Sequence, residues 1–188
     1  MWSRFKKWFK YAFGIGILAL LILTIKYYYD TSYSGDANTY FLEGEFESLD
    51  DIVSDDAFRN KILYVDLWFS TCSFCRKEFK HLPEVKNFFK DKDQVAFLYL
   101  SHQTRHPNTR QLWKNAIQEL ELHGYHYMMD RDFEKRMWQR LRKKDSTIRG
   151  GFPHYLIIDN TSGYRNYNAP KPSEIKDLKA AVNPLLSP

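Results

Sequence analysis

Short apolar runs alternate with amphipathic stretches along the chain after residue 45. Continuous apolar runs that are rich in β-branched and aromatic residues predict buried strands. These runs cover residues 61–69, 94–100, 125–129 and 154–158, and a paired strand over 164–168 follows a turn at 161–163. Strands that alternate with helices and end in a hairpin predict an α/β three-layer sandwich.

Helical spacing of apolar residues lies between these strands. The predicted helices begin at residue 71 or 72, 109, 132 and 173, and end near 89, 123, 141 and 182. Ser48 can cap a further short helix, and Pro83 predicts a kink in the first long one. Residues 101–108 are predicted as a polar loop and residues 142–149 as a basic loop.

A charge-free run over residues 11–25 precedes this pattern, bracketed by Lys10 and Lys26. Aromatic residues on both sides of the run are typical of membrane interfaces. With these aromatics the segment has roughly 20 residues, about enough to cross a ~30 Å hydrocarbon core. The sequence therefore predicts a basic tail over residues 1–10, a lipid-spanning anchor over 11–29, a tether over 30–45 and one domain over 46–188.

A cleaved signal peptide is the competing interpretation, because the charge-free run alone is short for a membrane span. The bulky residues 26–30 that follow the run do not have the small side chains of a cleavage site. More positive charge before the run than after it predicts a cytoplasmic N-terminus. In a bacterium this places a single-pass protein in the inner membrane, with its domain in the oxidising periplasm.

Charge gives little further information about partners. Of the formal net charge of +5, residues 1–30 carry +4, and the rest has 23 basic and 22 acidic side chains. The sequence pI near 9 thus reflects the N-terminus, and we predict no nucleic-acid partner. A hydrophobic content of 44% is enough for a sizeable core.

Cys72 and Cys75 are the only cysteines of the chain, and they follow a predicted strand at the start of a helix. This C-x-x-C context is typical of a redox motif. A helix N-terminus favours the thiolate of the first cysteine, which is the species that attacks disulfides. We therefore interpret Cys72 as the nucleophile and Cys75 as the resolving thiol.

Other roles for the pair fit less well. A structural disulfide between Cys72 and Cys75 would close almost no loop, and a zinc site would need two more ligands that the sequence does not supply. Haem attachment requires a histidine after the second cysteine, where Arg76 stands. We predict that the chemistry requires neither a metal nor a cofactor.

Asp66 lies six residues before Cys72, inside an otherwise apolar strand. Burial there should raise the pKa of its carboxyl group. A carboxylate with a raised pKa is suited to accept the proton of Cys75 during resolution, which is the role we predict. The alternative is an exposed, inert aspartate at a strand end.

Two motifs carry a resemblance to a known family. The first is Trp68-Phe-Ser-Thr-Cys72-Ser-Phe-Cys75-Arg-Lys-Glu78, and the second is Gly151-Phe-Pro153 before an apolar strand that ends in an aspartate. With this order of elements, residues 40–186 resemble the thioredoxin superfamily, and most closely its membrane-anchored TlpA/ResA-like thiol–disulfide oxidoreductases. The resemblance implies a central mixed sheet flanked by helices.

The resemblance also implies a substrate site beside the cysteines. Pro153 is expected to be cis, to pack against the cysteine pair and to shape a groove in which an extended substrate strand can pair. Residues expected to contact substrate with it are Phe152, His154, Phe74 and Trp68. Three positions depart from the family pattern, namely Thr71, the dipeptide Ser73-Phe74 and His154, so no redox potential is carried over.

The activity implied is dithiol–disulfide exchange with protein substrates outside the cytoplasm. The resemblance favours a reductase that a membrane-borne thiol donor recharges. A non-catalytic adaptor or chaperone that holds extended chains in the same groove is the alternative. Arg76, Lys77 and Glu78 are interpreted as a solvated helix face.

Overall fold

The computed structural model describes residues 11, 13–25, 35 and 37–186. The chain divides into two compact units, Met1–Ser34 and Gly35–Pro188. In the first unit, residues 13–25 are helical with exposed side chains. Among the residues described, no helix has both the length and the apolar character needed to cross a membrane. The predicted basic tail, the last four residues of the predicted anchor and the first five of the predicted tether lie outside the described residues.

The second unit is built on a mixed six-stranded sheet in the order β1-β4-β3-β2-β5-β6. The first four strands in this order are mutually parallel, and β5 and β6 are antiparallel additions. The strands are β1 Thr39–Phe41, β2 Ile62–Trp68, β3 Val95–His102, β4 Gly124–Met129, β5 His154–Asp159 and β6 Arg165–Asn166. Strand β2 is buried along its whole length, which explains its continuous apolar sequence.

Helices cover both faces of this sheet, as an α/β three-layer sandwich requires. They are α1 Leu49–Val53, α2 Ser73–Phe79, α3 Leu82–Phe89, α4 Thr109–Glu119, α5 Arg131–Lys144 and α6 Ile175–Val182, with single 3-10 turns at Asp56–Phe58 and Asn183–Leu185. Helices α1 and α5 pack on one face, and α3 and α6 pack on the other. The thioredoxin-like α/β architecture is confirmed.

Strand β1 lies inside residues 30–45, which the sequence predicts as a tether. It pairs instead with β4 in parallel, from Thr39 opposite Gly124 to Phe41 opposite His126. Aromatic contacts hold this edge strand, since the rings of Tyr40 and Tyr125 stack with centroids 5.0 Å apart. The tether prediction is therefore wrong for these three residues.

The predicted helix over residues 72–89 is two helices rather than one kinked helix. Helix α2 ends at Phe79, and α3 begins at Leu82 with Pro83 in its first turn. Proline is favoured there because the first backbone N–H groups of a helix have no intrahelical acceptor. The short helix α2 therefore carries the cysteine pair separately from α3.

Candidate redox site

Cys72 and Cys75 lie at the start of α2, directly after the carboxyl end of β2. Cys72 is the N-cap residue, and its Sγ accepts a hydrogen bond from the backbone N–H of Cys75 at 3.0 Å. The two residues form a disulfide with an S–S distance of 2.09 Å. Cys72 is 3% exposed and Cys75 is fully buried. The order of burial is the one expected of an attacking and a resolving sulfur.

Asp66 is buried in the middle of the sheet, with only 1% of its surface exposed. In the described part of the chain, neither carboxyl oxygen has a hydrogen-bond partner. Burial raises the pKa of this carboxyl group well above its ordinary value, and the negative charge of Glu78 raises it further. The predicted exposed alternative is excluded, and the electrostatics suit a proton acceptor.

Aromatic side chains surround Asp66 on its face of the sheet. In the strand register, Asp66 pairs with Tyr99 on β3 and Tyr155 on β5, so the three side chains share one face. The hydroxyl groups of both tyrosines are buried without a hydrogen bond among the described residues. Asp66 also raises the pKa of each tyrosine, which burial raises most.

Helix α2 covers this same face. Phe79 at its end packs against Trp68 and Tyr99, with ring centroids 5.3 and 6.4 Å apart. The cysteine pair and the buried carboxyl group therefore lie on the same side of the sheet. A shared side of the sheet is one condition for proton transfer between Cys75 and Asp66.

Glu78 lies three residues after Cys75. The sequence suggested that it belongs to a solvated helix face, and this interpretation is wrong. Its side chain is only 14% exposed and lies 3.8 Å from the Nζ atom of Lys171. The backbone N–H and the hydroxyl group of Ser173 donate hydrogen bonds to its carboxylate, at 3.0 and 3.1 Å. Arg76 is likewise bound, in a two-pronged pair with Glu119, and of these three residues only Lys77 is exposed rather than partly buried.

The peptide bond between Phe152 and Pro153 is cis, as the resemblance implies. Phe152 joins an aromatic cluster at the carboxyl end of the parallel strands, with Phe69 and Trp138 at centroid distances of 5.5 and 5.8 Å. Only two residues separate Phe69 from Cys72 in the sequence. Phe152 thus links the proline loop to the segment that carries the disulfide.

His154 is half-buried at the first position of β5. Its Nε2 donates a hydrogen bond to the carbonyl oxygen of Tyr167 at 2.8 Å, and its ring packs against Trp138. Burial lowers the pKa of the imidazole, partly offset by that hydrogen bond and by Asp145. The ring is thus neutral near pH 7, and its described contacts are structural.

The two remaining predicted substrate residues lie in opposite environments. Phe74 is 65% exposed beside the disulfide, and the Nζ atom of Lys77 lies 5.3 Å from its ring centroid. Trp68 is completely buried beneath α2. Phe74 can meet a substrate directly, whereas Trp68 has no exposed surface for the contact predicted for it and instead supports α2.

The sequence reasoning missed a histidine–carboxylate pair beside this aromatic cluster. Nδ1 of His102 lies 2.5 Å from a carboxylate oxygen of Glu134, whose other oxygen accepts from Nε1 of Trp138. His102 also contacts Phe69 and Phe152. One signal was present in the sequence, because Phe69 and His102 stand at the carboxyl ends of two neighbouring parallel strands.

Comparisons with known proteins give a consistent result. A family model described as thioredoxin-like matches residues 60–164, more than half of the chain. The thioredoxin domain of a thiol-disulfide oxidoreductase from Bacteroides vulgatus is 28% identical, with a TM-score of 0.53 over 70% of this chain and 84% of that one. A thiol-disulfide oxidoreductase from Bacteroides fragilis has the same fold at 21% identity, with a TM-score of 0.50 over 71% of this chain and 88% of that one. No curated protein matches the sequence significantly.

Proposed function

The chain belongs to the thioredoxin-like family, and we propose that it is a thiol–disulfide oxidoreductase that acts on protein substrates outside the cytoplasm. The observation that carries the proposal is the disulfide between Cys72 and Cys75 at the start of α2, on the sheet face that contains Asp66. The recognition of a thioredoxin-superfamily enzyme from its sequence motifs is thereby confirmed.

In the reductive direction, the thiolate of Cys72 attacks one sulfur of a substrate disulfide. A Cys72–substrate disulfide forms, and the second substrate sulfur leaves as a thiolate. Cys75 then gives its proton to Asp66, and its thiolate attacks the sulfur of Cys72. The Cys72–Cys75 disulfide forms, and the substrate sulfur that was bound to Cys72 leaves as a thiolate. The two substrate thiolates take up protons from solvent, to which Cys72 and Asp66 release theirs, so the substrate gains two electrons and two protons as a dithiol.

We assign Pro153, Phe152 and Phe74 to the surface that receives the substrate. Exposed Phe74 lies between the two cysteines in the sequence. The cis-proline loop contacts the segment before Cys72 through the rings of Phe152 and Phe69. An extended substrate segment that lies along this loop would bring its cysteine to Cys72. Asp66 takes no part in binding, because it is buried.

We propose the reductive direction for the natural cycle, with a membrane-borne dithiol as the electron donor. Each turnover leaves the Cys72–Cys75 disulfide, so an external dithiol is needed to reduce it. We further propose that residues 11–29 anchor the protein in a bacterial inner membrane, with the domain in the periplasm. The charge-free run between Lys10 and Lys26 supports the anchor, and the excess of basic residues before it supports the orientation.

The reduction potential of the full chain, titrated against glutathione and dithiothreitol buffers, tests the direction. A reduction potential of about −270 mV, the value of thioredoxin, is expected for a reductase. A value near roughly −120 mV would instead make the protein an oxidant of secreted chains. A pair that does not equilibrate with either buffer would contradict exchange altogether and favour a non-catalytic adaptor.

Protease treatment of spheroplasts tests the location. If the proposal is correct, external protease removes the domain, while the N-terminal segment stays in the membrane fraction after a carbonate wash. A domain that is protected until the cells are lysed would contradict the periplasmic orientation. Release of the intact domain without protease would show that the N-terminal segment is cleaved.

A further inference from the structure

A concentration of positive charge lies on α5 and on the loop that leads to the cis-proline. Residues 131–151 carry eight basic and three acidic side chains, a net charge of +5. The remainder of residues 31–188 carries 15 basic and 19 acidic side chains, a net charge of −4. The near-neutral net charge of residues 31–188 is therefore the sum of a strongly basic segment and an acidic remainder.

Five cations at the end of this segment are exposed, and we call them the basic rim. They are Arg140, Arg142, Lys143, Lys144 and Arg149. Elsewhere several basic side chains are paired, such as Arg76 with Glu119 and Lys171 with Glu78. No described carboxylate forms an ion pair with a member of the basic rim. Its positive potential is therefore available to a partner.

The basic rim adjoins the loop that carries Pro153. A Cβ atom placed on Gly150 would lie 3.1 Å from Nη1 of Arg142 and 3.7 Å from the Trp138 ring. The same guanidinium nitrogen lies 3.4 Å from the carbonyl oxygen of Arg149. Trp138 then contacts Phe152 directly. Arg142 thus lies beside the loop residues Arg149 and Gly150, and the Trp138 ring next to Gly150 contacts the residue that precedes the cis-proline.

A small apolar cavity opens within the basic rim, between α1 and α5. It has a volume of about 130 Å³, and its lining includes Leu49, Met137, Leu141 and Tyr167. Arg140, Lys143 and Lys144 also line it, together with Asp50. An apolar hollow among cations matches a peptide segment that combines an apolar side chain with acidic neighbours. A membrane surface or a nucleic acid could bind the cations, but neither would place an apolar side chain in the cavity.

We infer that the basic rim selects disulfide substrates in which acidic residues flank the reactive cysteine. An acidic segment attracted to the basic rim is held beside the cis-proline loop, which increases the rate at which its disulfide meets Cys72. The inference rests on the proposed exchange function and specifies its substrate class. It predicts selectivity in association rate, which depends on ionic strength.

The test uses two peptides that are identical except for the residues beside one disulfide-bonded cysteine, which are aspartates in one and lysines in the other. The full chain is first reduced with dithiothreitol, freed of it and mixed with each peptide in detergent solution. The second-order rate constant should be about tenfold larger for the aspartate peptide at low ionic strength. This ratio should fall towards one in 0.5 M salt, where the Debye length is only about 4 Å.

Charge reversal locates the effect. The double variant Arg142→Glu with Arg149→Glu lowers the net charge of residues 131–151 from +5 to +1, so it should bring the rate ratio of the two peptides close to one. Lys90→Glu with Lys92→Glu changes the net charge by the same amount before the amino-terminal end of the interior strand β3, and should leave the ratio unchanged. The ratio is measured within one protein preparation, so partial unfolding of a variant does not alter it.

Three results would overturn the inference. Equal rates for both peptides, or equal shifts of the ratio in both double variants, would show that the basic rim does not select substrates. An unchanged ratio in the Arg142/Arg149 variant, with loss of its binding to vesicles that contain phosphatidylglycerol, would make the surface a membrane contact. If neither peptide is reduced, the exchange function itself fails, and this outcome is distinct from the first two.

Discussion

The two faces of strand β2 are made of alternating residues of one segment, yet only one face contains polar atoms. Leu63, Val65 and Leu67 form the aliphatic face of the strand, and they point into an apolar layer that α1 and α5 cover. Asp66 and Trp68 lie on the other face, where a carboxyl group and an indole nitrogen are buried without a hydrogen bond among the described residues. The aliphatic face meets the ordinary requirements of a core, whereas the polar face does not.

The two faces of β2 therefore contribute differently to the protein. Burial of apolar surface on the aliphatic face stabilises the fold. An unpaired carboxyl group on the opposite face costs stability, and it lies under the helix that holds the cysteines. The proposed proton transfer would give this polar face a function, and six substitutions on the two faces and at the cysteines test that proposal.

The largest effect is expected on the chemistry above the polar face. Cys72→Ser should abolish exchange, a loss of at least about a thousandfold, because no other group can attack the substrate. Cys75→Ser should keep the first attack and accumulate a mixed disulfide, which mass spectrometry detects. Mixed disulfides held by Cys75 in the Cys72→Ser variant would reverse the assigned roles.

Leu67→Ala changes the aliphatic face beside Asp66. Leu67 is fully buried, so the variant should lose about 2–5 kcal/mol of the free energy of unfolding, measured in urea. The rate of exchange per folded molecule should stay the same. A large loss of exchange activity without unfolding would show that the two faces are not separable.

Asp66→Asn should act in the opposite direction on stability. The pKa of Asp66 is raised in the folded state, so folded protein retains a proton that unfolded protein releases above about pH 4. The stability of the natural protein therefore falls as pH rises from there through the folded-state pKa. Asn does not titrate, so the stability of the variant should not fall in this pH range. Its free energy of unfolding should exceed that of the natural protein by roughly 1–3 kcal/mol at alkaline pH, and the two should be equal near pH 3.

The same variant should resolve the mixed disulfide about a hundredfold more slowly, because the proton acceptor of Cys75 is gone. Denaturation at several pH values and quenched-flow kinetics measure the two effects. Leu67→Ala is the control, since its destabilisation should not depend on this titration. Unchanged resolution in Asp66→Asn would remove Asp66 from the mechanism.

The smallest effect is expected from the tyrosine hydroxyl groups of the polar face. Tyr99→Phe removes a buried hydroxyl that has no hydrogen bond among the described residues, so stability should rise by at most about 1 kcal/mol. Tyr64→Phe is the matched variant, because its hydroxyl donates to the carbonyl oxygen of Pro170 at 2.8 Å. It should lose about 1 kcal/mol. Equal changes in the two variants would contradict this distinction.

Sequence reasoning found the parts of the molecule that short-range pattern determines. Strand β2, the cysteine pair at a helix start and the burial of Asp66 all follow from residues 61–79 taken alone. The apolar run identifies the strand, and an acidic residue inside such a run must be buried. The same local reasoning found β3, β4 and β5 to within two residues of their ends.

The features that it missed depend on distant partners or on very short elements. Strand β1 has three residues, too few to show a periodic pattern. Glu78 is recognisable as part of the site only once Lys171 and Ser173 are known to bind it. The His102–Glu134 pair likewise joins β3 to α5. Trp68 is assigned to substrate from the family motif alone, although its place in the apolar run over residues 61–69 already indicates burial.

The bond between Ser173 and Glu78 joins two segments that the ribosome makes at different times. Ribosomes synthesise the cysteines before the strand β5 that pairs with β2 and before the segment that holds α2 through Glu78. At translation rates of about 5–20 residues per second, the 98 residues from Arg76 to Ser173 take roughly 5–20 s. Throughout that interval the nascent chain presents its two thiols without the structure that makes them selective.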